Sequence, residues 1–224
     1  MLKTLPTLLL ALCLGLNLQA QPTSHSRYIA SDDINLKGLF PLPPAAGSAE
    51  QAGDMATVLW LQRVRTPAQI IQARANSELG LELYRDIISA SMAGWNEDSI
   101  ERNFEEIGKL IYPIIMEAKD QYGRARPYAA NLQVQPCVPL EESTSYPSGH
   151  AFAGLCYALL LADMFPELRE ALIERGMQIG YDRVVGGVHY PSDVLAGQRL
   201  AMACAEVIIE SQKWAYWKQS AQRR

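Results

Sequence analysis

Three stretches of the chain group titratable side chains at spacings that can do chemistry. In Ser145-Tyr146-Pro147-Ser148-Gly149-His150, followed by the apolar run Ala151 to Leu161, Pro147 fixes φ and Ser148 is an N-cap residue type. Gly149 lets a ligand approach the backbone closely. A helix beginning there offers unpaired N–H groups and partial positive charge, which favour a bound phosphate. His150, in the first turn, reaches whatever those groups hold. The second stretch runs from Lys119 through Arg124 to Arg126 and Pro127. Lys119 complements a helix C-terminus, and Pro127 pushes Arg126 towards an extended conformation, so its side chain is presented from a loop. In the third stretch, Tyr181 to Asp193, His189 and Asp193 are four apart and face each other on a helical turn. A carboxylate on one ring nitrogen fixes the tautomer and leaves the other nitrogen free to act. Arg183 adds a cation, and Gly186-Gly187 allows close approach. Read singly, the three have ordinary explanations: a helix cap, a solvated basic face and a surface His–Asp pair.

The elements that must hold these side chains show as apolar periodicity. Met55, Val58, Leu59 and Leu61 predict a helix from about Ser48 to Arg65, and Pro67 opens another reaching Ser77. Leu79 to Ile88 suits a further helix, separate from or continuous with the one before. A longer helix starts at Asp98 or Ser99, where Ile100, Phe104, Ile107, Ile111, Ile114 and Ile115 recur mostly three and four apart. Pro113 is expected to kink or end it. Tyr128 to Tyr146 reads as loop, then come helices over Ser148–Met164, after Pro166, and from about Ser192 to Gln212. No stretch alternates with a two-residue period. The predicted fold is therefore all-α, a single compact helical domain over 48–224.

Composition sets the remaining bounds. With 49% hydrophobic and 20% charged residues the chain is ordinary globular material, which excludes disorder as its main character. A net charge of −4 excludes a broad nucleic-acid-binding face, so any cationic site is local. Lys3, the apolar Leu8 to Leu18 and Ala20 read as a signal peptide over 1–20, cut before Gln21. Its removal takes away one Lys and leaves a charge of −5. Residues 21–47 form an irregular Pro-rich lead lying over the body, with His25 inert in it. No later run is long and apolar enough to span a bilayer. After processing Cys137, Cys156 and Cys204 remain, an odd number, so at most one internal disulfide forms. Cys156 and Cys204 lie in helical apolar runs, and Cys137 is the best placed to pair.

Taken together and in order, Lys119-x6-Arg126-Pro127, Pro147-Ser148-Gly149-His150 and Arg183-x5-His189-x3-Asp193 resemble the tripartite signature of the type 2 phosphatidic acid phosphatase superfamily. The size and export signal resemble its bacterial class A non-specific acid phosphatases. The resemblance implies the all-α fold of the acid phosphatase and vanadium haloperoxidase type. It also implies hydrolysis of small-molecule phosphate monoesters in the periplasm or outside the cell. Lys119, Arg126 and Arg183 would clamp the phosphoryl oxygens, with Ser148 and the Gly149 N–H completing the cradle. His189, oriented by Asp193, would attack phosphorus, and His150 would protonate the leaving alcohol. No metal and no cofactor is implied, no nucleic acid partner, and no stable membrane insertion after processing. Assembly of identical subunits and transfer of phosphate to alcohols stay open.

Two departures from the pattern bear on this. Asp182 stands where the family usually has Ser, and is expected to point outward or to hold Arg183. Relatives often carry a Cys near Gly186, so Cys137 is expected to lack its usual partner. Rival readings are a vanadate-dependent haloperoxidase, a lipid-phosphate phosphatase, a metal hydrolase using His150, His189 and Asp193, and a phosphate-binding protein disabled by Asp182.

Overall fold

A computed structural model describes residues 27–222. The stretch expected to be a signal peptide and His25 lie outside the described residues. Helix α1 (Ala49–Val64) begins where the Ser48 hydroxyl accepts from Gln51 N, and α2 (Pro67–Ala75) begins with a Thr66/Gln69 capping box and Pro67 in its first position. Short turns follow: a 3-10 turn over Leu81–Tyr84, α3 (Arg85–Ile88) and a second 3-10 turn over Ser89–Ser91. Next come α4 (Glu97–Tyr122), α5 (Pro127–Ala130), α6 (Gly149–Met164), α7 (Arg169–Val185), α8 (Pro191–Glu210) and α9 (Gln212–Ala221). The described residues hold no strand, so the all-α expectation stands.

α6 is apolar on every side because it is enclosed, packing chiefly against α7 and α8. α4 shows one apolar stripe, Ile100 to Ile115, and turns it to the same core. The lead is built in as well: Tyr28, Ile29, Ile34, Leu36 and Phe40 are all buried. Among the described helices none is long and apolar enough to cross a membrane.

Three local expectations need correction, and one element is unexpected. The helix expected over Leu79–Ile88 is a chain of short turns, separate from α2, which ends where Asn76 turns its side chain to Asp182. α4 runs unbroken through Pro113. Pro113 lies on the exposed face, as does Lys109, whose carbonyl loses the N–H that proline lacks and faces water instead. The 128–146 stretch is irregular only after α5. The helix expected from about Ser192 to Gln212 is α8; the unexpected element is α9 beyond it, started by Ser211, whose hydroxyl accepts from Trp214 N. Trp214 is thereby buried between Tyr28 and Phe104, with ring centroids 6.5 and 6.3 Å away.

Candidate active site

The end of α4, the start of α6, the end of α7 and the first turn of α8 meet at one place. Gly123, with φ of +58°, ends α4 just after Lys119. The chain then turns so that Arg124 and Arg126 both fold inward and are buried. Lys119 Nζ donates to Thr144 O at 2.5 Å. Gly149 lies beside it: a Cβ on that glycine would sit 4.0 Å from Lys119 Cε. Arg126 donates to Ser143 O (2.7 Å) and Val188 O (3.0 Å), and its Nη1 lies 3.2 Å from His189 Nε2. Arg183, 1% exposed, donates to Ser77 Oγ at 3.1 Å. Its Nε is buried with no partner among the described residues, a further donor for an oxyanion.

His189 and Asp193 are both fully buried, with Nδ1 3.2 Å from Asp193 Oδ2. His189 is not itself helical: it lies in the turn before α8, and Asp193 reaches back to it from the first turn. The same Oδ2 accepts from Tyr190 N (2.9 Å) and Ser145 Oγ (2.6 Å), so one carboxylate caps α8 and fixes the ring. Since the carboxylate only accepts, Nδ1 carries the hydrogen and the Nε2 lone pair faces Arg126. Burial, then Arg126 and Lys119, push His189 down to about 4 against the pull of Asp193, which leaves a neutral ring above that pH.

His150 sits in the first turn of α6. Its Nε2 lies 3.0 Å from Ser77 O, an acceptor, so Nδ1 is the nitrogen free to exchange a proton. Burial and Arg183 lower it to about 4, while the Ser77 bond and Glu141 work the other way. Ser148 is largely committed to structure: its Oγ accepts from Ala151 N at 3.3 Å and its N–H donates to Asp193 O at 2.9 Å. Only its hydroxyl hydrogen is left to offer. Lys119 is lowered to about 8 by burial and Arg126, so it is cationic at acid pH.

The structure thus brings together Lys119, Arg126, Ser148, Gly149, His150, Arg183, His189 and Asp193. Three residues outside the predicted set join them. Glu141 bridges the arginines, with Oε1 2.6 Å from Arg183 Nη2 and Oε2 2.8 Å from Arg126 Nη2. Arg124 holds Asp193 Oδ1 at 2.5 Å and Asp54 Oδ2 at 2.7 Å, and its guanidinium lies 3.9 Å from the Tyr190 ring centroid. Asp54 in turn accepts from Ser192, tying α1 to the start of α8. Two cavities open beside His150 and Glu141. One of about 830 Å³ is walled by Leu79, Ile111, Tyr112, Phe152 and Tyr157. The other, of about 920 Å³, is walled by Arg74, Ser77, Pro136 and Val138.

Asp182 points away from the cradle, as expected, but into the protein rather than to solvent, and it does not hold Arg183. It is 1% exposed and faces away from the cradle, accepting from Asn76 (2.6 Å), Gln178 (2.7 Å) and Gln72 (3.2 Å). Burial raises its pKa and three amides oppose that rise, so it locks α2 to α7 rather than pairing with Arg183. Cys137 is unpaired, as are buried Cys156 and Cys204. Its N–H donates to Gly186 O at 3.0 Å, so the position opposite Cys137 is a glycine. A Cβ on Gly186 would come within 2.8 Å of Val138 Cγ2. Among the described residues no three His, Cys, Asp or Glu side chains converge as a metal site.

Comparison with known proteins places this geometry among relatives. The family model of the PAP2 superfamily matches residues 108–217, which include every residue of the cradle. The chain is 30% identical over 183 residues to the non-specific acid phosphatase of Providencia stuartii, covering 76% of this chain and 73% of that one. It is 31% identical to the acid phosphatase of Zymomonas mobilis, covering 71% and 63%. A transmembrane PAP2 type phosphatidylglycerolphosphate phosphatase from Bacillus subtilis shares the fold. It has a TM-score of 0.53 at 21% identity, covering 73% of this chain and 86% of that one.

Proposed function

We propose that this chain, which belongs to the PAP2 superfamily and is a phosphatase, is an exported acid phosphatase acting on phosphate monoesters through a phosphohistidine, without a metal ion. The observation that carries the reading is His189. Its Nδ1 is anchored on a buried carboxylate and its Nε2 faces the arginine that would hold the phosphoryl group. Nε2 attacks phosphorus, forming the P–N bond as the P–O bond to the alcohol breaks. Nδ1–H of protonated His150 supplies the proton that the departing alkoxide takes up. Water then attacks the phosphohistidine, His150 recovers the proton, and phosphate leaves. Lys119, Arg126 and Arg183 stabilise charge on the equatorial oxygens, the largest contribution in phosphoryl transfer. Export is supported by the signal-like 1–20 stretch.

The test is hydrolysis of p-nitrophenyl phosphate by the processed chain in chelator, beside His189→Ala. Turnover by the wild type and its loss by orders of magnitude in the variant is the expected result. Equal activity in the two would remove His189 as nucleophile. Activity lost to chelator and restored by zinc would replace the mechanism with a metal-dependent one. Phosphate binding with no turnover would leave a binding protein.

A further inference from the structure

We propose that the Glu141 carboxylate is a resident anion that occupies the phosphoryl seat between turnovers, and that substrate binds by displacing it. The inference rests on the phosphatase reading above, because it assigns Arg126, Arg183 and His150 to the phosphoryl group. Arg126 and Arg183 are 3% and 1% exposed, and buried charges of one sign so close together need a counter-ion. Glu141 supplies it, with one oxygen on each arginine and Oε1 also 3.5 Å from His150 Nδ1. Two oxygens spread over two guanidinium groups are what two equatorial phosphoryl oxygens would present to the same donors. Nothing in the predicted motif requires a carboxylate there.

The surroundings allow it to leave. Glu141 belongs to the irregular 131–148 segment, and its side chain is 28% exposed although the arginines beneath it are not. Its backbone is fixed, because Tyr128 Oη donates to Glu141 O at 2.8 Å. Departure is therefore a side-chain rotation rather than a loop opening. Both cavities beside His150 reach Glu141, so one can receive the ester while the other takes the displaced carboxylate. Burial pushes the Glu141 carboxyl up, but the histidines and arginines around it hold it at about 2, so it is an anion throughout the working range. Two anions on one pair of arginines repel, and a phosphate monoester, which can carry two charges, outcompetes a carboxylate carrying one. Glu141 is then a competitive occupant whose removal tightens binding by the inverse of the fraction of time the seat stands open.

The opposite role is a scaffold that stays in place and orients the arginines under bound phosphate. Calorimetric titration of inorganic phosphate into wild type, Glu141→Ala and Glu141→Gln at pH 6 separates the two, beside kcat and KM for p-nitrophenyl phosphate. The expected result in Glu141→Ala is a phosphate Kd about tenfold lower, as for a seat open about one-tenth of the time, with KM falling alongside. Glu141→Gln, which keeps the shape but not the charge, should move the same way by less. A Kd and KM that are unchanged or higher in both variants would overturn the proposal. If Glu141→Ala does not fold, as judged by circular dichroism, the isosteric Gln variant alone decides. A wild type without phosphatase activity would strike the functional reading. An active wild type whose variants bind phosphate no tighter would strike Glu141 alone.

Discussion

In the proposed mechanism His189 and His150 need opposite protonation states, yet burial drives both down to about 4. Between pH 4 and 6.5 the nucleophile is therefore ready and the acid is not. A phosphoryl dianion that replaces the Glu141 carboxylate at Arg183 sets two charges beside His150 Nδ1 where there was one, and raises its affinity for a proton. The expected pH dependence is a bell on the acid side. Its acid limb is protonation of His189, and its alkaline limb is loss of the proton from His150 in the complex. Lys119, at about 8, removes a cation from the cradle further along the same limb. Rates from pH 3.5 to 9 test this, and kcat still climbing above pH 8 would exclude His150 as proton donor. The side chains behind this prediction were legible only as a set, because three motifs in that order resemble a family signature while each alone has an ordinary explanation. Glu141, Arg124 and Asp54 were not, since each acquires its role from partners far along the chain, such as Arg124 with Asp54 70 positions away. Asp182 was misjudged for the same reason: its partners Gln72 and Asn76 belong to another helix.

At the scale of elements, the site depends on how closely α6, α7 and α8 approach one another. Gly176 and Gly180 of α7 lie against Ala158 and Ala151 of α6, where added Cβ atoms would stand 2.7 and 2.9 Å from those alanine side chains. Gly197 of α8 is tighter still: a Cβ there would run into the Ser148 carbonyl oxygen and come within 3.2 Å of Phe152 N. Gly197→Ala must push α8 away from the stretch that carries Ser148 and His150. The expected cost is about 1–3 kcal/mol of stability, together with a fall in kcat/KM, read by urea unfolding and p-nitrophenyl phosphate hydrolysis. Gly53→Ala is the control, because that glycine has nothing within 4 Å of its added Cβ and should be neutral or slightly stabilising. Wild-type stability and activity in Gly197→Ala would refute this account. Caps and apolar periodicity made α1, α2, α4, α6 and α8 readable from sequence. The glycine contacts were not, because a helical glycine looks the same in sequence whether it faces solvent or another backbone. α9 escaped because the expected helix stops at about Gln212, with Ser211 inside it rather than as the cap that starts a new one.

For the molecule as a whole, the same buried groups make stability run against activity. His150 and His189 have folded pKa values of about 4, below the 6.5 of a free imidazole, so between those limits the unfolded chain binds more protons. Stability from this source is complete above pH 6.5 and is lost as pH falls through 4. Glu141 adds to the loss lower down, from 4.5 towards 2. Asp182, its pKa raised by burial, is a counterweight, stabilising at low pH and losing that contribution as pH rises. The urea midpoint is accordingly expected to be lower at pH 4.5 than at pH 7, and inorganic phosphate should recover part of the difference by binding the folded state. An equal or higher midpoint at pH 4.5 would contradict the assignment of both histidines as buried and neutral.

Asp193 joins these scales. The carboxylate that orients the His189 ring also starts α8, receives the Ser145 hydroxyl and is clamped by Arg124, which in turn is held to α1 through Asp54. The ring cannot be aimed unless α1, α4, α6 and α8 have already docked in register. If His189 is the nucleophile proposed above, a half-packed molecule with most of its helices in place has none that is oriented, and turnover counts only chains that have finished folding.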